Sequence, residues 1–130
     1  MQRVLRTAVA LGVAAPLAFA AAPAIARHGA NDGRVVRTGQ CTGPSSWTLK
    51  AKPDNGGLEV EFEVDRNRAG VRFGVVLRRN GVVFSRASRT TAGRSGSFSI
   101  GRHTGNRAGT DRITAVATRR GETCSAALII

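Results

Sequence analysis

From residue 41 onward, apolar and polar positions alternate in short runs, each closed by a cluster of turn-forming residues. A period of two marks a strand with one buried and one wet face. Trp47, Leu49 and Ala51 form the first inner face, and Leu58, Val60, Phe62 and Val64 the second. Val71, Phe73, Val75 and Leu77 supply a third, and the run through Phe84 a fourth. Phe98 with Ile100, Ile113 with Ala115 and Ala117, and Cys124 with Ala126, Leu128 and Ile130 complete the series. About seven short strands with turns between them, and no helical period after residue 26, predict an all-β, two-sheet antiparallel sandwich. A small closed barrel is the alternative.

Turn chemistry adds register to the pattern. Asn80-Gly81 is a strong hairpin signal, because a type I′ turn needs φ > 0 at both central residues. Setting Arg79 opposite Val82 places Leu77 opposite Phe84 and keeps both apolar sets on one face. "KPDNGG" and "RNRAG" read as turns by composition. If "RNRAG" closes a hairpin, the strand before it pairs with the strand after it. Glu59, Glu61, Glu63 and Asp65, the outer teeth of "GLEVEFEVD", then stand beside Arg72 and Arg78. That comb is read as a solvated face balanced across strands. A calcium site is the weaker reading, because carboxylates two apart on a flat strand diverge and the usual wrapping loop is missing. A catalytic carboxylate pair would need a cleft that raises one pKa, which a flat face beside arginine does not provide.

The first 26 residues follow another pattern: Arg3 and Arg6, a long Ala-rich apolar run, then Ala24-Ile25-Ala26. These are the parts of a cleavable secretory signal, and Pro16 and Pro23 argue against a membrane-spanning helix. The expected product is secreted, extracellular or wall-associated, with no membrane span after cleavage. Residues 27–40 lack periodicity and are read as a flexible lead, and residues 41–130 as the folded domain. Export changes the meaning of the two cysteines. Cys41 and Cys124 are expected to form one structural disulfide closing most of the domain. A thiol-based metal site is the poorer reading, with no Cys-x-x-Cys and only two histidines in the chain.

"GRSGSFSI" and "AGTDRITAVATRRGETCSAAL" resemble the closing strands of bacterial immunoglobulin-like domains. Together with "CTGPSSWTLK" and "LEVEFEVDRNRAG", they are similar to small exported actinobacterial proteins of unassigned function, over Cys41 to Ile130. The resemblance implies an immunoglobulin-like sandwich and brings no catalytic motif. The chain departs from antibody-type domains in having no tyrosine and in placing its cysteines at the domain's ends.

Charge is the strongest functional clue. The formal net charge is +12, and after Asp65 every cation is an arginine while Asp111 and Glu122 are the only acids. Arginine binds phosphate and carboxylate bidentately, and a field of this sign concentrates polyanions. Arg78, Arg79, Arg86, Arg89 and Arg94, around one hairpin and its following loop, are the expected first contacts. The partners implied are anionic cell-wall polymers or acidic glycans. Specific nucleic-acid recognition is not expected without stacking aromatics. No cofactor motif is present: the Gly-rich "TAGRSGS" lacks the lysine and helix of a phosphate-binding loop. His28 and His103 have no nucleophile context, so the chain is read as a non-enzymatic module. Trp47 is expected in the core near the disulfide. The alternative function is a small-ligand carrier or inhibitor on a sandwich scaffold, as in exported actinobacterial chromophore-binding proteins. The second disulfide and the acidity usual in that group are absent here.

Overall fold

Alternation places the strands and the turns space them. The computed structural model describes residues 32–107 and 109–130. The expected signal peptide, the first residues of the expected lead and His28 lie outside the described residues. Eight strands follow in order: β1 (Val35–Gln40), β2 (Ser46–Asp54), β3 (Gly57–Asp65), β4 (Arg72–Arg79), β5 (Val82–Thr90), β6 (Ser97–Gly105), β7 (Arg112–Arg119) and β8 (Glu122–Ile129). One sheet has the order β1-β2-β3-β6 and the other β5-β4-β7-β8, with every pairing antiparallel. Because β3 pairs with β6 while β4 pairs with β7, the two ladders interlock across the sandwich. No helix among the described residues is long and apolar enough to cross a membrane.

The inner faces are those the alternation marks. Leu49, Leu58, Val60, Phe62, Val64, Phe73, Leu77 and Ile113 are fully buried, and Phe73 meets the Phe98 ring at a centroid distance of 5.7 Å. Trp47 packs half-buried against this core with its ring over Gly39, where a Cβ would come within 2.4 Å of it. The disulfide is formed between Cys41 and the fully buried Cys124, tying the β1–β2 connection to β8 and so one sheet to the other.

Three details of the sequence reading change. Part of the expected lead, Val35–Gln40, is the edge strand β1, bringing the count to eight. In the β4–β5 hairpin, Arg79 pairs with Val82 as expected. A bulge between Leu77 and Arg78 then sets Leu77 opposite Ser85, leaving Phe84 as the extra residue. An extra residue sharpens the local twist, a common device on edge strands such as β5. The third change concerns β3, which does not pair with β4. The "RNRAG" segment crosses from one sheet to the other, so β3 and β4 face each other through the core. The comb therefore lies between β2 and β6. Lys50 stands 3.9 Å from Glu61, Lys52 stands 3.6 Å from Glu59, and the Ser99 hydroxyl donates to Glu63 at 3.3 Å. In this arrangement the inner faces of both strands, Leu58 to Val64 and Phe73 to Leu77, are buried in the shared core.

The outer faces differ in sign. Asp54, Glu59, Glu61, Glu63 and Asp65 share the first sheet's outer face with Lys50 and Lys52. On the second sheet, Arg72, Arg78, Arg86 and Arg112 point outward among Val76, Val116, Thr114 and Thr118, and no acid shares that face.

Candidate functional site

At one end of the sandwich the β3–β4 connection, the β5–β6 turn and the β7–β8 hairpin converge. The first two are stitched together by backbone and by one buried side chain. Arg66 N–H donates to Gly96 O at 3.0 Å, Gly70 N–H to Thr91 O at 2.7 Å, and Thr91 N–H to Val71 O at 2.9 Å. The Thr91 hydroxyl accepts from Val71 N–H at 2.9 Å and donates to Arg68 O at 2.5 Å. Asn67 turns the connection at φ 55, its N–H held by the Asp65 carboxylate at 2.8 Å. The loops are thus fixed by the fold before any ligand arrives.

Between the β3–β4 connection and the β7–β8 hairpin opens a cleft of about 420 Å³ lined by Arg66, Arg68, Arg72, Arg119 and Arg120, with Ala69, Gly70 and Val71. Two of these arginines are structural. Arg66 Nε lies 3.6 Å and Arg119 Nη1 3.8 Å from Oε1 of Glu122, whose side chain is almost wholly buried. Glu122 also accepts from Ser45 N–H at 2.9 Å and from the Ser45 hydroxyl at 3.0 Å. Gly43 presses so close that a Cβ there would meet Glu122 Oε2 at 2.5 Å. The Arg119 guanidinium also sits 6.0 Å from the Phe73 ring centroid, in cation–π range. Arg66 Nε is buried without a hydrogen-bond partner. By contrast, Arg68, Arg72 and Arg120 are exposed and have no carboxylate within ion-pair distance among the described residues. Chemically, this is a cationic recess on an ordered backbone, with Arg68 and Arg120 open to an anion and Arg72 at its rim, where its guanidinium donates to Ser88 Oγ at 3.3 Å.

The five arginines expected to make first contact are not one patch. Arg78 and Arg86 lie on the outer face of the second sheet, with Arg86 opposite Val76. Arg79 points inward and pairs with the buried Asp111 at 3.6 Å. Arg89 pairs with Phe73 at the open edge of β5, its guanidinium donating to Ser88 O. Arg94 sits in the β5–β6 turn, which is stitched to the cleft. The cleft arginines of the β3–β4 connection and the β7–β8 hairpin were missed as a group. Their only signal was two Arg-rich turns, "RNR" and "RRG", which sequence alone does not bring to the same end.

The opposite end carries the other buried acid. Asp111 accepts from the Asn80 amide at 2.7 Å and from Arg107 N–H at 3.2 Å, with Arg79 and Arg107 guanidinium nitrogens at 3.6 and 3.5 Å. Burial opposes its ionisation. The Asn80 amide, the Arg107 N–H and the two guanidiniums together outweigh burial and hold the carboxyl below its ordinary value. Near this end, on the first sheet's outer face, His103 Nε2 lies 2.6 Å from Asp54 Oδ2, beside Glu59.

Comparison of the chain with protein-family models, with curated proteins and with solved structures found no match.

Proposed function

We propose that the protein is an exported, non-enzymatic binding module that holds anionic envelope polymers through the arginine cleft. The observation that carries this reading is the convergence of five arginines on one recess built from fixed loops. Arginine's planar fork suits phosphate and carboxylate oxygens, and ordered loops spare the ligand the cost of arranging its site. The disulfide fits an oxidising, extracytoplasmic compartment. We read the sandwich as immunoglobulin-like: β2-β3-β6 against β4-β7-β8 follows the A-B-E and C-F-G order of such modules, whose loops gather at the sandwich ends. The acid-free outer face of the second sheet, with Arg78 and Arg86, extends the positive field and attracts a polymer before it seats.

The small-ligand alternative gains no comparable support, since the space between the sheets is filled by Phe62, Phe73, Phe98 and their neighbours.

The test is fluorescence anisotropy of a labelled glycerol-phosphate polymer with the exported form of the chain, at low and at high salt. Binding is expected to weaken steeply with salt. The R68A/R72A/R120A variant should lose about tenfold or more, and R78A/R86A considerably less. Equal losses in the two variants would mean diffuse charge and not a cleft; salt-independent binding would overturn the reading altogether.

A further inference from the structure

Three donor atoms from three different strands meet on the anionic outer face of the first sheet. Glu59 of β3 and His103 of β6 are direct cross-strand partners, and Asp54 of β2 lies two residues along on the same face, opposite Gly57. Gly57 contributes no side chain, so the imidazole reaches across β3 to the aspartate. His103 Nε2 stands 2.6 Å from Asp54 Oδ2, and one ligating atom from each residue lies within 4.8 Å of the other two. We propose that Asp54, Glu59 and His103 form a binding site for a divalent transition-metal ion of the zinc class.

Distance, donor type and rigidity all favour this. An ion held about 2.0–2.2 Å from each donor needs those donors at most about 4.4 Å apart, which small side-chain rotations supply here. One imidazole nitrogen with two carboxylate oxygens suits zinc, nickel or copper. Calcium wants six or more oxygens, and magnesium usually keeps most of its water. The three backbones are locked by the β2–β3 and β3–β6 ladders, so the donors ride on rigid elements instead of a loop. The site is also chemically distinct within its own face. Glu61 and Glu63 continue the comb but meet Lys50 and Ser99, and only at Glu59 does a nitrogen ligand join the carboxylates.

Two local contacts oppose the metal: the hydrogen bond between His103 Nε2 and Asp54 Oδ2, which must open and give up its proton as the ion takes both atoms, and the Lys52–Glu59 ion pair. Lys52 Nζ lies 3.6 Å from Glu59 Oε2 and must swing into solvent when the ion binds. Its side chain is partly exposed, and its long stem permits the movement. A competing ammonium weakens the site, so its removal should strengthen it. Three protein donors leave coordination positions facing solvent, open to water or to an oxygen of an outside ligand. The proposal is independent of the arginine cleft, which lies at the other end of the sandwich.

Calorimetric titration of the exported form with zinc chloride, in a buffer free of phosphate and chelators, tests the site. One ion per chain is expected to bind. H103A, D54N and E59Q should each weaken binding about tenfold or more, K52Q should tighten it, and H28A, lacking the only other imidazole, should match the unaltered chain. Circular dichroism of each variant verifies that the fold is retained, and H103Q serves as a second variant should H103A unfold. A copper(II) resonance spectrum gives a separate readout: coupling to one imidazole nitrogen, present in H28A and absent in H103A or H103Q. No saturable binding, or binding that survives H103A and is lost in H28A, would overturn the proposal. So would full affinity in both D54N and E59Q.

Discussion

Asp111 shows how much one side chain can hold. It is fully buried, it receives the Asn80 amide and the Arg107 N–H, and its backbone exchanges two hydrogen bonds with Ile130, at 2.7 and 2.9 Å. Removing its charge strands Arg79, so D111N is expected to cost about 3 kcal/mol at neutral pH, read by urea unfolding. The pH dependence follows from its lowered pKa. The unfolded carboxyl takes up a proton near pH 3.8, whereas the folded one resists until lower pH, so the native state binds fewer protons in between. Its stabilisation is therefore complete above that value and lost as pH falls through the folded pKa. The difference between the unaltered chain and D111N should shrink as the solution is acidified below that point; a constant difference would refute the assignment. Sequence gave no hint of this residue's weight. Asp111 and Glu122 were visible only as two acids in an arginine-rich half, and nothing local shows that each is buried beneath partners as far away as Asn80 and Ser45.

Among the elements, alternation made the strands with a buried face legible; β5, with no fully buried residue, was legible from the Asn80-Gly81 turn and Phe84, and β1 was not legible. β2, β3, β4, β7 and β8 each show their inner residues by strict alternation, because packing on the opposite sheet selects for it. β1 has a neighbour on one side only and no fully buried residue, so Val35–Gln40 carries no period to read. The Asn80-Gly81 turn was legible from its φ > 0 requirement, met at 51° and 82°, but the bulge beside it was not. "RNRAG" misled because a turn signal marks where the chain bends and not whether it bends within a sheet or across the core. That crossing is what creates the cleft, and Thr91 is its fastening. Replacing Thr91 by Val keeps the shape but leaves Val71 N–H and Arg68 C=O unpaired. An expected loss of about 2 kcal/mol in thermal or urea unfolding follows. The same variant should weaken polymer binding by loosening the loop that carries Arg68; unchanged affinity would show that the loop's order is irrelevant to the site.

For the molecule as a whole, three fastenings hold the β1–β2 connection to the second sheet. They are the disulfide, the Glu122–Ser45 bonds, and the paired bonds between Thr42 and Thr123, where Thr42 N–H donates to Thr123 O and Thr123 N–H to Thr42 Oγ1, both at 2.9 Å. The disulfide spans 83 residues, so the C41S/C124S variant is expected to lose about 4.5 kcal/mol relative to the oxidised chain. A loss under about 1 kcal/mol would show that the neighbouring bonds suffice. For a domain of this size the expected loss is comparable to the entire margin of folding.

The interlocked ladders also dictate a timetable. A polypeptide is made from its N-terminus, so β3 waits for β6 and β4 waits for β7, while Cys41 waits for a sulfur 83 residues on. The first sheet has all its strands once Gly105 has been made, whereas the second still lacks β8 and Cys41 lacks its partner until residue 124 is reached. An oxidant can therefore close this bridge only after the intervening 83-residue separation has been synthesised.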